Sequence, residues 1–318
     1  MEYYFAPMEG ITGAEYRAVH HRHFPGVDRY YMPFITPTQD RVFTPRELRN
    51  ISPERNAGYR AVPQLLTKNA GDFNWAAGEL FAMGYDEVNL NLGCPSGTVT
   101  AKGKGAGMLA DLEGLDRFLD GIFSAARGKI SVKTRLGLRD PEEIFPLVEC
   151  FARYPISLLI LHPRVRQDFY REPVRPDYFA RALEVYHGAV GYHGGLRTPE
   201  GCAAGQGRFP LVKHWMLGQG LLADPALIRR CQGGPALTRQ ELRAFHDQVY
   251  EGYAGAFGSR RNAMLRMKEV WFYLIHLFGD SQRHAKAIRK ARDTGEYESA
   301  VAAVFRELEL LPELRPEW

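Results

Sequence analysis

Cysteine is scarce and scattered in this 318-residue chain: Cys94, Cys150, Cys202 and Cys231 form no C-x-x-C pair. That spacing argues against a zinc site or a disulfide framework and for a reducing compartment, so a cytoplasmic protein without a metal is expected. No uninterrupted apolar run approaches the roughly 18 residues of a membrane span. Met1-Glu2-Tyr3-Tyr4-Phe5 leads directly into strand-like sequence with neither a basic nor a long apolar leader segment, and no signal peptide is expected. There is no repeat or low-complexity tract. Pro7-Met8-Glu9-Gly10 stands where an open dinucleotide-binding sheet would want Gly-x-Gly-x-x-Gly. Acidic residues are missing from one stretch: Arg283, Lys286, Arg289, Lys290 and Arg292 precede Asp293 with no carboxylate among them.

With 45% hydrophobic and 25% charged residues, the chain can build one large core and a smaller domain. Alternating β-rich runs place strands at 3–7, 28–32, 61–66, 87–92, 129–134, 157–161, 188–192 and 213–217, with amphipathic helices such as 72–83, 112–126 and 141–154 between them. This alternation predicts an α/β fold, a (β/α)8 TIM barrel over residues 1–232. From Gly233-Gly234-Pro235 onward helical periodicity takes over, opened by a Thr238–Glu241 capping box, with later helices over 260–277, 283–290 and 296–308. Residues 233–318 therefore read as an all-helical C-terminal domain. A net charge of +4 is weak evidence for a polyanionic partner, but two basic clusters in that domain (Arg260, Arg261, Arg266, Lys268 and the 283–292 group) point to nucleic acid.

Barrel enzymes draw their functional residues from the C-terminal strand ends. Those ends carry Pro7, Met8 and Glu9, then Gln64, then Asn91 with Cys94. Lys133 and Arg135 follow, then His162 and Arg164, His193-Gly194-Gly195, and Gly218-Gln219-Gly220. The glycine turns after the last two strands suit a phosphate, because backbone N–H groups can approach an anion closely there. With Gln64 and Lys133 at the mouth they outline a site for a planar, phosphorylated cofactor, and a flavin fits. Gln64 would bond the ring edge and Lys133 would stabilise charge on the reduced ring. Cys94, at a strand end in Asn91-Leu92-Gly93-Cys94-Pro95-Ser96, is placed to deliver a proton. The glycine-rich 102–107 stretch beyond it predicts a flexible loop that closes over substrate.

These elements resemble the tRNA-dihydrouridine synthase family. The matching pieces are Ala6-Pro7-Met8-Glu9-Gly10, Pro63-Gln64-Leu65, the Asn-x-Gly-Cys-Pro-Ser element with its basic glycine loop to Leu109, Lys133-Thr134-Arg135, His162-x-Arg164 and Gly218-x-Gly220 through Pro225. The resemblance implies FMN as cofactor, NADPH as reductant and tRNA as partner. It implies hydride delivery to C6 of an extruded uracil while Cys94 protonates C5. Asn91 and Arg135 would hold the uracil carbonyls, and Lys102 and Lys104 would contact tRNA phosphates beside the helical domain. A monomer is expected.

Two departures stand out. His193-Gly194-Gly195 replaces the family's usual Asn-Gly-Asp, and Gly218-Gln219-Gly220 its Gly-Arg-Gly. Losing that arginine predicts looser flavin retention, with His193 or Arg164 compensating. The short, glycine-rich 198–210 segment predicts a truncated or missing seventh helix. Two rival readings remain at this level: a dihydroorotate dehydrogenase-like barrel acting on a free pyrimidine, and a tRNA-binding homologue with weakened catalysis.

Overall fold

The computed structural model describes residues 1–313. Nine strand segments form one sheet: β1 (Glu2–Phe5), β2 (Arg29–Tyr31), β3 (Ala61–Val62), β4 (Gln64–Leu65), β5 (Glu87–Leu92), β6 (Lys129–Gly137), β7 (Leu159–Val165), β8 (Val190–His193) and β9 (His214–Leu217). Their order is β3-β2-β1-β9-β8-β7-β6-β5-β4, and the neighbouring pairs whose register is resolved are parallel. Only Pro63 separates β3 from β4. Its missing N–H interrupts the ladder, so the two ends of the sheet are halves of one strand and the ring nearly closes as a TIM barrel. Ile35 spans the break, its N–H donating to the Gln64 carbonyl and its carbonyl accepting the Leu66 N–H, both at 2.8 Å.

The eight predicted strands are all present, with β6 and β7 running three or four residues further toward the mouth than periodicity suggested. In the extension the ladder continues through Arg135 beside His162 and, after a shift in register, Gly137 beside Val165. The helices 70–82, 112–123 and 144–151 fall where amphipathic periodicity placed them, the first two capped by Asn69 and Asp111 side chains. The expected truncation of the seventh helix does not occur. Pro199–Arg208 forms a ten-residue helix. Proline at its first position has no N–H to leave unbonded, and the Thr198 hydroxyl accepts the Gly201 N–H at 3.1 Å.

Two compact units are distinguished. The first comprises residues 1–7, 29–195 and 208–216, and the second residues 8–28, 196–207 and 217–318 as far as they are described. The first unit is centred on an apolar cluster of Tyr4, Ala6, Tyr31, Val62, Leu158, Ile160 and Met216. The second is helical. Its Arg239–Phe257 helix starts on the predicted capping box, with Glu241 N–H donating to Thr238 Oγ1 and Thr238 N–H to Glu241 Oε2, and stops at Gly258 in the left-handed region. Buried His246 binds the Tyr297 hydroxyl at 2.8 Å, and the Trp271 indole donates to the same oxygen at 3.1 Å, fixing three helices together. Among the described residues no helix is long and apolar enough to cross a membrane.

Candidate active site

β5 shows how a buried strand can carry polar chemistry. All six of its residues are buried, Val88, Leu90 and Leu92 alternating with Glu87, Asn89 and Asn91. In-register pairing puts Gln64 beside Asn89 and Asn91 beside Lys133. Gln64 Nε2 donates to Asn89 Oδ1 at 2.7 Å, and Asn91 Nδ2 donates to Gln64 Oε1 at 2.8 Å. Asn91 Oδ1 then accepts the N–H groups of Gly93 (3.0 Å) and Cys94 (2.9 Å). Each buried amide is thereby satisfied, as burial demands. The chain of bonds ends at the half-buried Cys94.

Arg135, 1% exposed, faces the other side of that loop. Its Nε donates to the Gly93 carbonyl at 2.9 Å, and one terminal nitrogen donates to the carbonyls of Val165 (3.1 Å) and Phe169 (2.9 Å). Asn91 and Arg135, expected to hold substrate carbonyls, therefore make protein contacts that shape the thiol's surroundings.

The basic stretch after Cys94, expected as a flexible loop that closes over substrate, contains two short helical segments. Gly97–Thr100 forms one helical turn and Gly105–Ala110 a 3-10 segment whose Gly105, Ala106, Met108 and Leu109 are buried. Ala106 N–H donates to the Cys94 carbonyl at 3.2 Å. The glycines permit this close return: a Cβ at Gly107 would lie 2.7 Å from the Thr100 carbonyl oxygen. Lys102 stays exposed and Lys104 half-buried, with burial and the neighbouring Lys102 and Lys68 depressing the Lys104 ammonium's pKa.

Beyond Lys133 lies a cationic group. His162 and Arg164, at the end of β7, are buried, and an Arg164 terminal nitrogen lies 2.9 Å from His162 Nε2. A guanidinium has no lone pair to offer, so this ring nitrogen accepts and His162 is neutral with its proton on Nδ1. Burial first, then Arg135 and His193, push its pKa well below the usual histidine range. His193 Nδ1 lies 2.8 Å from the Met216 carbonyl and must donate to it, and burial and Lys133 keep this ring neutral as well. Burial and Arg135 bring the Lys133 ammonium down to about 7, with Cys94 opposing them. Asp168 nearby is held by both terminal nitrogens of Arg175 and by the Val165 N–H.

This collection fits a phosphorylated, anion-forming planar group. Half-buried Lys133 and the buried cations Arg135 and Arg164 stand beside two neutral histidines, and space is kept at Gly194, where φ is +114° and a Cβ would lie 2.6 Å from His162 Cδ2. Gly195 is exposed with φ +74°. Pro7, half-buried, follows β1 in the first unit. Met8, Glu9, Gly218 and Gln219 belong to the second unit. There the Met8 carbonyl accepts the Ile11 and Thr12 N–H groups, and Glu9 is exposed. Gly220 could not carry a side chain, since its Cβ would sit 2.4 Å from the Leu196 carbonyl oxygen. Arg197, which periodicity did not single out, donates to Gln219 Oε1 at 3.4 Å.

Sequence reading also missed the turn after β7. Arg166, Asp168, Phe169 and Tyr170 crowd there, Phe169 with φ +48° and Arg135 5.2 Å over the Tyr170 ring. The density of charged and aromatic residues directly after a strand end was the available signal. Of the two basic clusters in the helical unit, Arg283, Lys286, Arg289, Lys290 and Arg292 are all exposed. The other is largely paired internally: Arg260 with Glu251 and Glu298, Arg266 with Glu269, and Lys268 with the Ala291 carbonyl.

The sequence profile of the dihydrouridine synthase (Dus) family matches residues 4–187. A tRNA-dihydrouridine(16) synthase of Ralstonia nicotianae is 29% identical over 239 residues, covering 72% of each chain. The protein of the same name from Neisseria meningitidis is 23% identical over 273 residues, covering 79% of this chain and 78% of the relative. Among solved structures, morphinone reductase superposes with a TM-score of 0.53 at 12% identity, over 75% of this chain and 87% of that one. A variant of NCR from Zymomonas mobilis gives 0.55 at 15%, over 79% and 92%. These two likenesses bear on the fold alone.

Proposed function

The chain belongs to the dihydrouridine synthase family, whose members are flavin-dependent oxidoreductases, and on that premise we propose that it reduces the C5–C6 bond of uridine in tRNA with Cys94 as proton donor. The observation that carries this reading is the fixed position of Cys94, its backbone bonded to Asn91 and adjoining the cationic mouth. FMN bound at Lys133, His162, Arg164, His193 and Gly194 would supply the hydride for C6. Lys133 in its charged form would stabilise negative charge there, and neutral His162 and His193 would add hydrogen bonds without further charge. Hydride addition leaves enolate-like charge on the uracil, and the Cys94 thiol quenches it at C5. Proton delivery of this kind contributes about 10²- to 10⁴-fold in rate.

The helical unit supplies the reason to prefer RNA over a free pyrimidine. A small anion has no use for the five exposed cations of residues 283–292, whereas a polyphosphate backbone does. Lys102 and Lys104 would add phosphate contacts. NADPH is the reductant we favour, and a monomer in the cytoplasm the working state. The relatives' names make uridine 16 the first position to test.

The test is anaerobic single turnover on unmodified tRNA transcript and on free orotate, with NADPH and NADH compared as reductants. Wild-type protein should form dihydrouridine in tRNA alone. Cys94→Ala should retain flavin and its reduction by nicotinamide yet lose product formation by about 10²-fold or more. Cys94→Ala turning over at the wild-type rate would end the assignment.

A further inference from the structure

The two carbonyls flanking Cys94 are each bound by a different arginine. Arg135 takes the Gly93 oxygen at 2.9 Å. Arg166 takes the Pro95 oxygen through Nε at 3.1 Å and, through a terminal nitrogen, the Thr100 hydroxyl at 3.2 Å. Pro95 and Thr100 bracket the single helical turn that follows the thiol. Both guanidiniums converge on one residue of the facing turn: Arg135 donates to the Phe169 carbonyl, and the Arg166 guanidinium carbon lies 5.1 Å from the Phe169 ring centroid. Phe169 sits at φ +48° and ψ −105°, a conformation costly for a phenylalanine, while its side chain is 39% exposed. A strained residue persists only where its surroundings over-determine it. Here the surroundings are the two arginines.

Arg166 has no carboxylate within ion-pair distance among the described residues, so a half-buried charge is devoted to neutral oxygens of the thiol's own loop. A planar guanidinium can serve two acceptors and an aromatic face together, which a lysine cannot. We propose that Arg166 is a positioning residue for proton delivery: it locks the Cys94 loop onto the Phe169 turn and so sets the direction of the thiol. The inference rests on Cys94 being the proton donor. In the step it serves, the Sγ–H bond breaks and a C5–H bond forms, the electron pair stays on sulfur, and solvent later returns the proton. The hydride and its electrons come from the reduced flavin and, before it, the nicotinamide.

The test uses the full, FMN-loaded chain with Arg166→Ala, Arg166→Lys and Thr100→Val. Three quantities are read: FMN content, the iodoacetamide alkylation rate of Cys94 by peptide mass, and the single-turnover rate on saturating tRNA after reduction by NADPH. Arg166→Ala is expected to keep its flavin and its tRNA affinity, slow turnover at least tenfold and change Cys94 alkylation at least fivefold. Arg166→Lys and Thr100→Val should fall between it and the wild type. Turnover and alkylation within twofold of wild type in Arg166→Ala and Thr100→Val would overturn the proposal. Where Arg166→Ala fails to hold flavin, the other two variants decide by the same thresholds. Cys94→Ala run alongside separates the two ideas: full turnover there would remove Cys94 as the acid, while the alkylation rates would still judge whether Arg166 positions it.

Discussion

Asn91 Oδ1 accepts the backbone N–H of Cys94 at 2.9 Å, while the same side chain donates to Gln64 at 2.8 Å. The thiol's backbone is thereby tied to the interior polar ladder of the barrel through one amide. Replacing Asn91 by Ala strands the Cys94 and Gly93 N–H groups and the Gln64 oxygen in a buried setting. The expected cost is about 1–3 kcal/mol of stability. Turnover on tRNA should drop at least tenfold with flavin content retained. Asn91→Asp should also fail in part, because a carboxylate cannot donate to Gln64. Denaturant melts with single-turnover assays check both, and an unaffected Asn91→Ala enzyme would show that the ladder does not orient Cys94.

Lys133 gives the site a pH dependence with a definite sign. Burial and Arg135 bring its ammonium to about 7 in the flavin-free protein, so it is charged below that value and neutral above it. An anion binds the charged form and pulls the proton back on. FMN affinity of the apoprotein should therefore weaken as pH rises above about 7, by at most about tenfold per pH unit. Lys133→Met should bind weakly and lack this component. Calorimetric titrations of both proteins across neutral pH decide it, and parallel curves would take Lys133 out of the account.

Gly194 leaves room that any side chain would fill. With φ at +114° and a would-be Cβ 2.6 Å from His162, Gly194→Ala combines backbone strain with displacement of a buried ring. Strain of this kind costs about 1–3 kcal/mol. The purified variant should lose most of its yellow colour and show an FMN Kd raised at least tenfold, while the far-UV circular dichroism stays that of the wild type. Wild-type FMN affinity in Gly194→Ala would place the cofactor elsewhere.

Arg197 beside Gln219 places a guanidinium at the turn after β9 although position 219 itself carries none. A charged hydrogen bond contributes about 1.5–3 kcal/mol. Arg197→Ala should thus raise the FMN Kd by tenfold or more, and adding Gln219→Arg to that variant should recover most of the loss. In the wild-type background Gln219→Arg should tighten binding. An affinity indifferent to all three changes would remove this turn from cofactor binding and, with it, the expectation of loose retention.

The sequence by itself determined the alternation of strands and helices, the change to a purely helical C-terminal part, and the residues standing at strand ends. Each of these is a local property: β5 alternates with period two, and Thr238 with Glu241 caps a helix. The break at Pro63, inside a stretch that reads as one strand, appears only in the structure. Cys94 was legible for the same reason, since a thiol between glycine and proline after an apolar strand is a signal contained in a few residues. Only the tertiary structure decided what Asn91, Arg135 and Arg166 do. Their hydrogen bonds reach Gln64, Gly93, Phe169 and Pro95, partners separated from them by two to seventy-one positions along the chain. Packing also decided that residues 97–110 fold back on Cys94 and that 199–208 is a full helix. In both, glycine content suggested looseness. In the first, Gly105 and Gly107 are what allow backbone to approach backbone, and in the second Pro199 and the Thr198 hydroxyl start a helix despite its glycines. Local pattern fixes which groups stand at the mouth, and contacts between distant segments fix which of them remain available to a ligand.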